Sequence, residues 1–396
     1  MNKSKVLNKE PIICSFCRKD QFVVEKLIAG PGVFICNECV DLCEKMIKEH
    51  KKTEPKDHKI LFPGEIKESL DEYVIGQETP KKILSVAIYN HYNRINANEK
   101  EDNIEKSNIL LIGPTGSGKT FLAKTLAKTI DVPFVIADAT TFTEAGYVGE
   151  DVESILFNLI QASDMNVNLA ERGIIYIDEI DKIARTSENK SISRDVSGEG
   201  VQQALLKLVE GTKINIPQKL QEKMRGGIVK NQIDTSNILF ICGGAFADLD
   251  SLIEEKASIG FQKKNEILDK KIENNHLIKF GLIPELIGRF PIVAKLDKID
   301  KDSLVSIMKD SKNSLIKQYK RLFKLSNVIL DVTDGAIELI AEKALEKGSG
   351  ARGLKSILES IFLDPMFDIK RDIGPMSLNI NENNIEKKKF KLEKRN

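Results

Sequence analysis

The residues with the clearest chemical potential form one continuous loop in the first half of the chain. Glycines let backbone N–H groups curl around phosphate oxygens, and the start of a following helix adds partial positive charge. A lysine can reach the outer phosphates, and a threonine hydroxyl can hold Mg²⁺. Eight consecutive residues match the phosphate-binding pattern G-x-x-x-x-G-K-[ST] at every fixed position: Gly113, Pro114, Thr115, Gly116, Ser117, Gly118, Lys119 and Thr120. The loop predicts binding of a nucleoside triphosphate such as ATP.

The elements on either side of this loop are those that must position it. Residues 109–112 are a short apolar run typical of a buried strand, and residues 121–130 have apolar positions at helical spacing. Strand, loop and helix then follow in the order that phosphate binding requires. A glycine-rich turn that fits the pattern by chance is the alternative interpretation.

A second apolar strand, residues 174–177, ends in the two acids Asp178 and Glu179. In open α/β folds, ligands bind beyond the carboxyl ends of the strands. We therefore expect Asp178 to hold Mg²⁺, directly or through water, and Glu179 to orient and deprotonate the attacking water. A strand that simply ends in solvated acids is the alternative.

Four cysteines near the N-terminus have the spacing of a zinc site. Cys14 and Cys17 form one C-x-x-C pair, Cys36 and Cys39 form another, and 18 residues separate the pairs. Four thiolates satisfy a tetrahedral Zn²⁺ ion. Four unrelated buried thiols are the alternative, and Cys43 is interpreted as a packing residue rather than a ligand. We assign residues 1–50 to a zinc-binding module and the charged residues 51–60 to a linker.

Composition limits the remaining classes of function. The 396 residues have a formal net charge of +1, so a large electrostatic surface for nucleic acid is not expected. No apolar run reaches the length of a membrane span, and the first ten residues lack the apolar core of a secretory signal. The predicted location is the cytoplasm, where thiols stay reduced and metal binding is favoured over disulfides.

Residues 61–300 alternate between strand-like and helical segments, which predicts an α/β domain with a parallel sheet covered by helices on both faces. Residues 301–378 are mostly helical, with one short strand expected at residues 328–332, and predict a smaller second domain. Residues 379–396 are rich in Asn, Lys and Glu and are predicted to be at least partly disordered. The five expected strands of the large domain are residues 109–112, 133–136, 174–177, 238–241 and 291–294.

Two arginines stand out because phosphoryl transfer favours a cation at the γ-phosphate. Arg289 follows a glycine in the run from Gly281 to Pro291, and Arg352 lies in a glycine-rich run at the start of a predicted helix. From chemistry alone, each is interpreted as a surface or helix-capping residue.

Taken together, these motifs resemble the ClpX family of AAA+ unfoldases. The resemblance extends from Cys14 to about Asp368 and includes the cysteine module, the segment from Tyr73 to Gln77, the phosphate loop, the acidic strand end and both arginine motifs. It implies a homohexamer with ATP, Mg²⁺ and Zn²⁺ as cofactors.

The resemblance also implies roles for individual residues of the nucleotide site. Val74 and Ile75 would line the adenine pocket. Arg289 would reach the ATP of a neighbouring subunit, and Arg352 would be a sensor from the small domain. An arginine that acts on a neighbour requires a ring.

Further segments resemble the family's contacts with proteins. Tyr147 and Val148, between glycines, would form the pore loop that grips substrate, and the segment containing Arg194 resembles a second pore loop. Ile259, Gly260 and Phe261 resemble the tripeptide that docks on a ClpP-type peptidase. The family's Arg-Lys-His triplet at the pore entrance is absent here, so recognition of carboxyl-terminal tails is open. The N-terminal module is expected to bind substrates or adaptors and to self-associate.

Three functions stay open on the sequence alone. The first is an ATP-dependent unfoldase and translocase that feeds a peptidase. The second is a chaperone that acts without the peptidase. The third is a nucleic-acid remodeller, which the near-neutral charge and the aromatic pore loop disfavour.

Overall fold

The computed structural model describes residues 12–53, 61–97, 104–143, 150–184, 198–222, 230–249, 251, 253, 272–348, 350–369 and 376–394. The chain divides into two compact units, Met1–His58 and Lys59–Asn396. Among the described residues, none of the helices combines the length and apolar character needed to cross a membrane.

The N-terminal unit is a small zinc-finger-like hairpin followed by a helix. Its antiparallel strands pair Leu27 with Cys36, and the turn between them uses Gly32 at a φ of 76°. In the described part of this unit, the buried apolar residues are Cys14, Val24 and Cys36. Its elements are β1 (Leu27–Gly30), β2 (Val33–Cys36) and α1 (Asn37–Thr53).

The second unit is built around a five-stranded parallel sheet, which confirms the expected α/β domain. Each expected strand is present, with ends that differ by no more than a few residues: β3 (Ile109–Ile112), β4 (Phe134–Asp138), β7 (Ile174–Asp178), β10 (Leu239–Gly244) and β11 (Ile292–Lys295). Their order in the sheet is β11-β3-β10-β7-β4. Four shorter strands pair off outside this sheet: β5 (Phe142–Thr143), β6 (Glu150–Asp151), β8 (Lys213–Asn215) and β9 (Gln232–Asp234).

Helices cover both faces of this sheet, as the alternating pattern predicts. Along β3, Ile109 and Leu111 belong to one apolar core, while Leu110 and Ile112 belong to the other. Because successive strand residues point to opposite faces, both faces are buried. The helices are α2 (Pro63–Asp71), α3 (Glu78–Asn96), α4 (Lys119–Thr129), α5 (Ser154–Ala162), α6 (Val167–Ala170), α7 (Glu199–Glu210), α8 (Gln218–Gln221), α9 (Asn274–Phe280) and α10 (Pro284–Gly288). Short 3₁₀ turns occupy Ala139–Thr141, Ile180–Ile183 and Thr235–Asn237.

The C-terminal part has its own apolar core and is mainly helical. The long helical stretch expected from residue 303 to residue 325 is two helices, because Ser314 caps a new helix by accepting a hydrogen bond from the Lys317 N–H. The strand expected at residues 328–332 is present. The elements are α11 (Lys301–Lys309), α12 (Leu315–Leu325), β12 (Val328–Val332), α13 (Asp334–Glu346) and α14 (Ala351–Phe367).

The polar tail differs from the disordered segment that its composition suggests. It contains β13 (Met376–Ile380), α15 (Glu382–Lys387) and β14 (Glu393–Lys394), and β13 pairs in parallel with β12. Ile380 and Ile385 are buried in the small domain's core. Asn381 and Asn384 cap α15 through reciprocal hydrogen bonds of 3.0 and 3.1 Å. The asparagines are thus helix-capping residues, and the small domain extends past residue 378.

Candidate active site

The phosphate loop joins β3 to α4 and has the backbone geometry that its glycines permit. Gly116 and Gly118 adopt φ values of 81° and 97°, in the region that favours glycine. Gly113 is packed tightly, since a Cβ atom there would lie 2.8 Å from the carbonyl oxygen of Leu296. A larger residue at any of these three positions would distort the loop.

Two side chains of the loop have donor groups that could bind an anion. Lys119 is 8% exposed, and its Nζ donates to the carbonyl oxygens of Gly113 and Pro114 at 2.6 and 3.2 Å. Burial lowers the pKa of Lys119, which a phosphate charge would oppose. The hydroxyl of Ser117 is buried and has no hydrogen-bond partner in the described part of the chain. An unpartnered buried hydroxyl and a lysine resting on its own loop fit a phosphate group.

Across the loop, Asp178 lies at the carboxyl end of β7 as predicted. The Thr120 hydroxyl donates to Oδ2 of Asp178 at 2.8 Å, and the Tyr176 hydroxyl donates to Oδ1 at 3.2 Å. Burial raises the pKa of the Tyr176 hydroxyl, so it remains a donor. Hydroxyl and carboxylate oxygens are the ligands that Mg²⁺ prefers. The predicted pair Thr120 and Asp178 is therefore brought together in a form that fits the ion.

Glu179 is exposed beside this pair and has a left-handed backbone, with a φ of 57°. Its backbone N–H donates to Oδ1 of Asp178 at 3.0 Å. This local bond holds the strained turn, which leaves the Glu179 carboxylate at the surface of the site. Its position is compatible with a base that acts on a water molecule.

Asp181 has a structural role that the sequence interpretation did not assign. Its carboxylate accepts hydrogen bonds from the backbone N–H groups of Ala245 and Phe246 at 3.1 and 3.3 Å. The carbonyl of Gly244, just before them, accepts from the Gly113 N–H at 3.2 Å. Asp181 thus fixes the end of β10 against the phosphate loop. The one sequence feature that could have drawn attention to Asp181 is its position in the acidic run after β7.

The small domain touches the phosphate loop directly. The backbone N–H of Ala351 donates to the carbonyl oxygen of Gly116 at 3.4 Å. Gly350 is so close that a Cβ atom on it would lie 3.1 Å from the same oxygen. Arg352, one residue further along, is exposed, and its charge adds to burial in lowering the pKa of Lys119. The structure therefore places Arg352 on the phosphate side of its own chain's site.

Val74 and Ile75 follow Glu72, whose carbonyl accepts from the Lys312 N–H of the small domain at 2.7 Å. Val74 is buried, and its carbonyl accepts from Nζ of Lys81 at 3.1 Å. Gln77 forms two reciprocal hydrogen bonds of 2.9 Å with the backbone of Asp297. These contacts anchor the segment at the junction that the adenine prediction requires, and the adenine contact itself stays a prediction.

Arg289 lies near the amino-terminal end of β3, whereas the phosphate loop follows the carboxyl-terminal end. Its carbonyl accepts from Nδ2 of Asn108 at 2.9 Å, and Asn108 immediately precedes β3. The phosphate loop follows the opposite end of that strand, and four strand residues span about 13 Å. The guanidinium group is bound to Glu210 instead, through Nε at 3.0 Å and Nη2 at 2.7 Å. Arg289 is thus separated from its own chain's site, and sequence reasoning did not find Glu210.

The four predicted cysteine ligands converge in the N-terminal unit. Their sulfur atoms lie within 4.8 Å of one another: Cys14, Cys17, Cys36 and Cys39. Zn–S bonds of about 2.3 Å in a tetrahedron place sulfurs about 3.8 Å apart. The observed Cys14–Cys39 and Cys17–Cys36 separations are 3.9 and 3.6 Å. Although burial opposes it, hydrogen bonds from backbone N–H groups lower the pKa of Cys14 to about 6, whereas burial and hydrogen bonds with the other thiols raise the pKa of Cys39. The site fits Zn²⁺, and Cys43 is not among its ligands.

The predicted protein-contact residues lie outside the described part of the chain. These are Tyr147, Val148, Arg194, Ile259, Gly260 and Phe261. Their roles stay predictions from the sequence.

Comparisons with known proteins agree with this geometry. Three family models match: the ClpX C4-type zinc finger over residues 12–49, the AAA domain (Cdc48 subfamily) over residues 104–293, and the C-terminal, D2-small domain, of ClpB protein over residues 299–370. The chain is also similar to the ATP-dependent Clp protease ATP-binding subunit ClpX of Treponema denticola. The two are 52% identical over 401 residues, which cover 96% of each chain.

The zinc cluster, the phosphate loop with its acidic partner strand and the helical small domain define an AAA-type ATPase with an N-terminal zinc finger. The 52% identity to a ClpX subunit over nearly the whole length identifies the family within this class. The chain belongs to the ClpX family.

Proposed function

We propose that this chain is the ATP-driven unfoldase of a Clp-type protease. As a homohexamer, it takes folded proteins, recognised directly or through adaptors, and threads them toward a ClpP-type peptidase. The observation that supports this most strongly is the 52% identity over 96% of the chain to a ClpX subunit. The arrangement of Lys119, Thr120 and Asp178 supports the ATP-dependent step. The four-cysteine cluster needs reduced thiols to hold Zn²⁺, which favours the cytoplasm.

Within one subunit, the proposed chemistry uses residues from both domains. Lys119 turns from its loop carbonyls toward the outer phosphates, and Thr120 and Asp178 hold Mg²⁺. When bound, Mg²⁺ neutralises charge that develops on the phosphate oxygens. Glu179 orients the attacking water and takes its proton. Gly350 and Ala351 hold Arg352 beside the loop, so that Arg352 links the small domain to the bound nucleotide.

The remaining cation is proposed to come from a second subunit. Arg289 lies near the amino-terminal end of β3, about one strand length from its own phosphate loop. An arginine there serves as a finger only for a neighbour. This separation supports a ring in which each subunit contributes Arg289 to the next site.

The mechanical part of the proposal uses residues outside the described ranges. Tyr147 and Val148 move with the nucleotide state and grip the polypeptide, with Arg194 on a second loop. Ile259, Gly260 and Phe261 dock on the peptidase. In the N-terminal unit, Phe16 and Phe22 are 67% and 82% exposed, which supports a role in binding substrates, adaptors or another copy.

The test is ATP-dependent loss of fluorescence from a stably folded reporter with an unstructured carboxyl-terminal tail. The assay is run with and without a ClpP-type peptidase, with Glu179→Gln as the inactive control. We expect irreversible loss only when ATP, the wild-type chain and the peptidase are all present. Loss that remains reversible on ATP depletion even when the peptidase is present would support the chaperone alternative. Normal loss with Glu179→Gln would contradict the proposal.

A further inference from the structure

The ion pair between Arg289 and Glu210 joins two segments that buried hydrogen bonds hold in place. Both Nε and Nη2 of Arg289 bind the same carboxylate oxygen, at 3.0 and 2.7 Å. The side chains are 51% and 40% exposed, so the pair contributes little to stability. Its geometric effect is larger, because two contacts fix the plane and direction of an otherwise flexible guanidinium group.

The backbone that carries Arg289 is anchored to the central sheet. Asn108 donates to the Arg289 carbonyl at 2.9 Å, and its own side-chain oxygen accepts from the Phe240 N–H at 3.2 Å. Asn108 is 1% exposed. The arginine therefore extends from a fixed point beside β3 and β10.

The helix that carries Glu210 is anchored to the segment leading to Arg289. Gln202, on α7, is fully buried. It accepts from the Ile283 N–H at 2.8 Å and donates to the carbonyl of Gly281 at 3.3 Å. The same amide donates to the carbonyl of Ile183, at the end of the turn that follows Glu179, at 2.8 Å. Glu210, the last residue of α7, and Arg289, just after α10, are thus held on connected elements.

The pairing leaves the guanidinium able to act elsewhere. It uses two of the five N–H donors of Arg289, so the remaining donors can face a phosphate while Glu210 stays bound. A cation that is oriented before the nucleotide arrives loses less freedom when it engages a phosphate.

We propose that Glu210 is a positioning residue for Arg289, which it orients toward the ATP of the neighbouring subunit. The proposal rests on the proposed role of Arg289 as a finger acting on that neighbour. Glu210 would then affect hydrolysis in the adjacent site while leaving ATP binding in its own site unchanged.

The first test compares steady-state ATP hydrolysis by full-length Glu210→Ala, Glu210→Gln and Glu342→Ala. Glu342 is the matched control, since it forms a similar surface pair with Lys301 at 2.7 Å. We expect Glu210→Ala to lower kcat by about 10- to 100-fold with KM unchanged, as for a misplaced catalytic group. Glu210→Gln keeps an acceptor oxygen and should retain most of the activity. Wild-type kcat in Glu210→Ala would overturn the proposal.

The second test asks in which subunit Glu210 acts. Glu210→Ala subunits are mixed in varied ratios with Glu179→Gln subunits, which supply an intact Arg289 but no catalytic base. Hydrolysis above the sum of the separate activities is expected, because Glu210→Ala sites would receive a properly oriented neighbour arginine. Arg289→Ala mixed with Glu179→Gln is the reference arm.

If ATP hydrolysis recovers in the reference arm but not in the mixture with Glu210→Ala, the proposed role of Glu210 is overturned, while that of Arg289 stands. Absence of rescue in both arms would overturn the neighbour-directed role of Arg289 and, with it, this inference.

Discussion

Arg352 and Arg289 are both predicted to assist ATP hydrolysis, yet they lie toward opposite ends of β3, Arg352 near the phosphate loop that follows the strand and Arg289 beside Asn108, which precedes it. Arg352 lies in the first turn of α14, where the N-cap residue Gly350 and the first helical residue Ala351 contact Gly116 of the phosphate loop. Arg289 is anchored by Asn108 before β3 and is paired with Glu210. In the proposed function, Arg352 acts on the site of its own chain, whereas Arg289 acts on the site of a neighbour.

Under the proposed function, this difference would make a single subunit an incomplete enzyme. The residues proposed to bind the nucleotide and Mg²⁺ are brought together within one chain: Lys119, Thr120 and Asp178. The remaining cation is proposed to be Arg289, which is paired with Glu210 near the amino end of β3, away from its own chain's phosphate loop. Binding and hydrolysis are therefore expected to respond differently to changes at the two arginines.

The largest effect is expected from Arg289→Ala. Loss of an arginine finger should reduce kcat for ATP hydrolysis by about 10³- to 10⁵-fold. Nucleotide affinity, measured by titration of a fluorescent ATP analogue, should remain that of the wild type, because Arg289 is not part of its own chain's binding site. A matching loss of affinity would remove the distinction between the two arginines.

A smaller effect, of a different kind, is expected from Arg352→Ala. If Arg352 forms the proposed charge-assisted hydrogen bond to ATP, worth about 1.5–3 kcal/mol, its loss should lower ATP affinity by about 10- to 150-fold. This defect belongs to the chain that carries the substitution. Mixing with Glu179→Gln subunits should not correct it, and correction would show that Arg352 also acts on a neighbour.

The contact between the small domain and the phosphate loop can be tested with two glycines. Gly350 and Gly348 both have positive φ, of 56° and 63°, so alanine at either position costs about 1–3 kcal/mol of stability. Only at Gly350 would the new Cβ atom meet Gly116, whereas nothing lies within 4 Å at Gly348. Gly350→Ala should therefore weaken ATP binding about fivefold through overpacking. Equal affinities in the two variants would show that the contact does not matter.

The smallest effect on hydrolysis is expected from removal of zinc. The N-terminal unit has little apolar core beyond its cysteines, so a chelator should unfold it, as seen by circular dichroism and zinc release. Both arginines lie in the other unit. The ATP hydrolysis rate should therefore stay unchanged when protein concentration is high enough to maintain the ring. A parallel loss of hydrolysis would link the zinc unit to the arginine sites.

The sequence supports prediction wherever the signal is local. The phosphate loop, the five strands and the C-x-x-C pairs each consist of neighbouring residues with a fixed pattern, and the structure confirms their arrangement. The tail was misjudged because its asparagines suggest disorder, whereas Asn381 and Asn384 cap a helix whose Ile385 is buried.

Contacts between distant residues had no comparable signal. Glu210 and Arg289 are separated by 79 positions, and Gln202 reaches a segment that begins at residue 281. Neither side chain has a pattern that reveals its partner, because the pairing arises only when α7 packs beside α10. The same holds for Gly350, whose contact with the phosphate loop depends on how the two domains meet.

The most direct test of the account is ATP hydrolysis by mixed rings of Arg289→Ala and Glu179→Gln subunits. Each variant alone should be nearly inactive. If Arg289 serves a neighbour, the mixture should hydrolyse ATP, because an Arg289→Ala site with its own Glu179 receives an intact arginine from a Glu179→Gln subunit. A mixture no more active than its separate components would contradict the assignment of Arg289 to the neighbouring site.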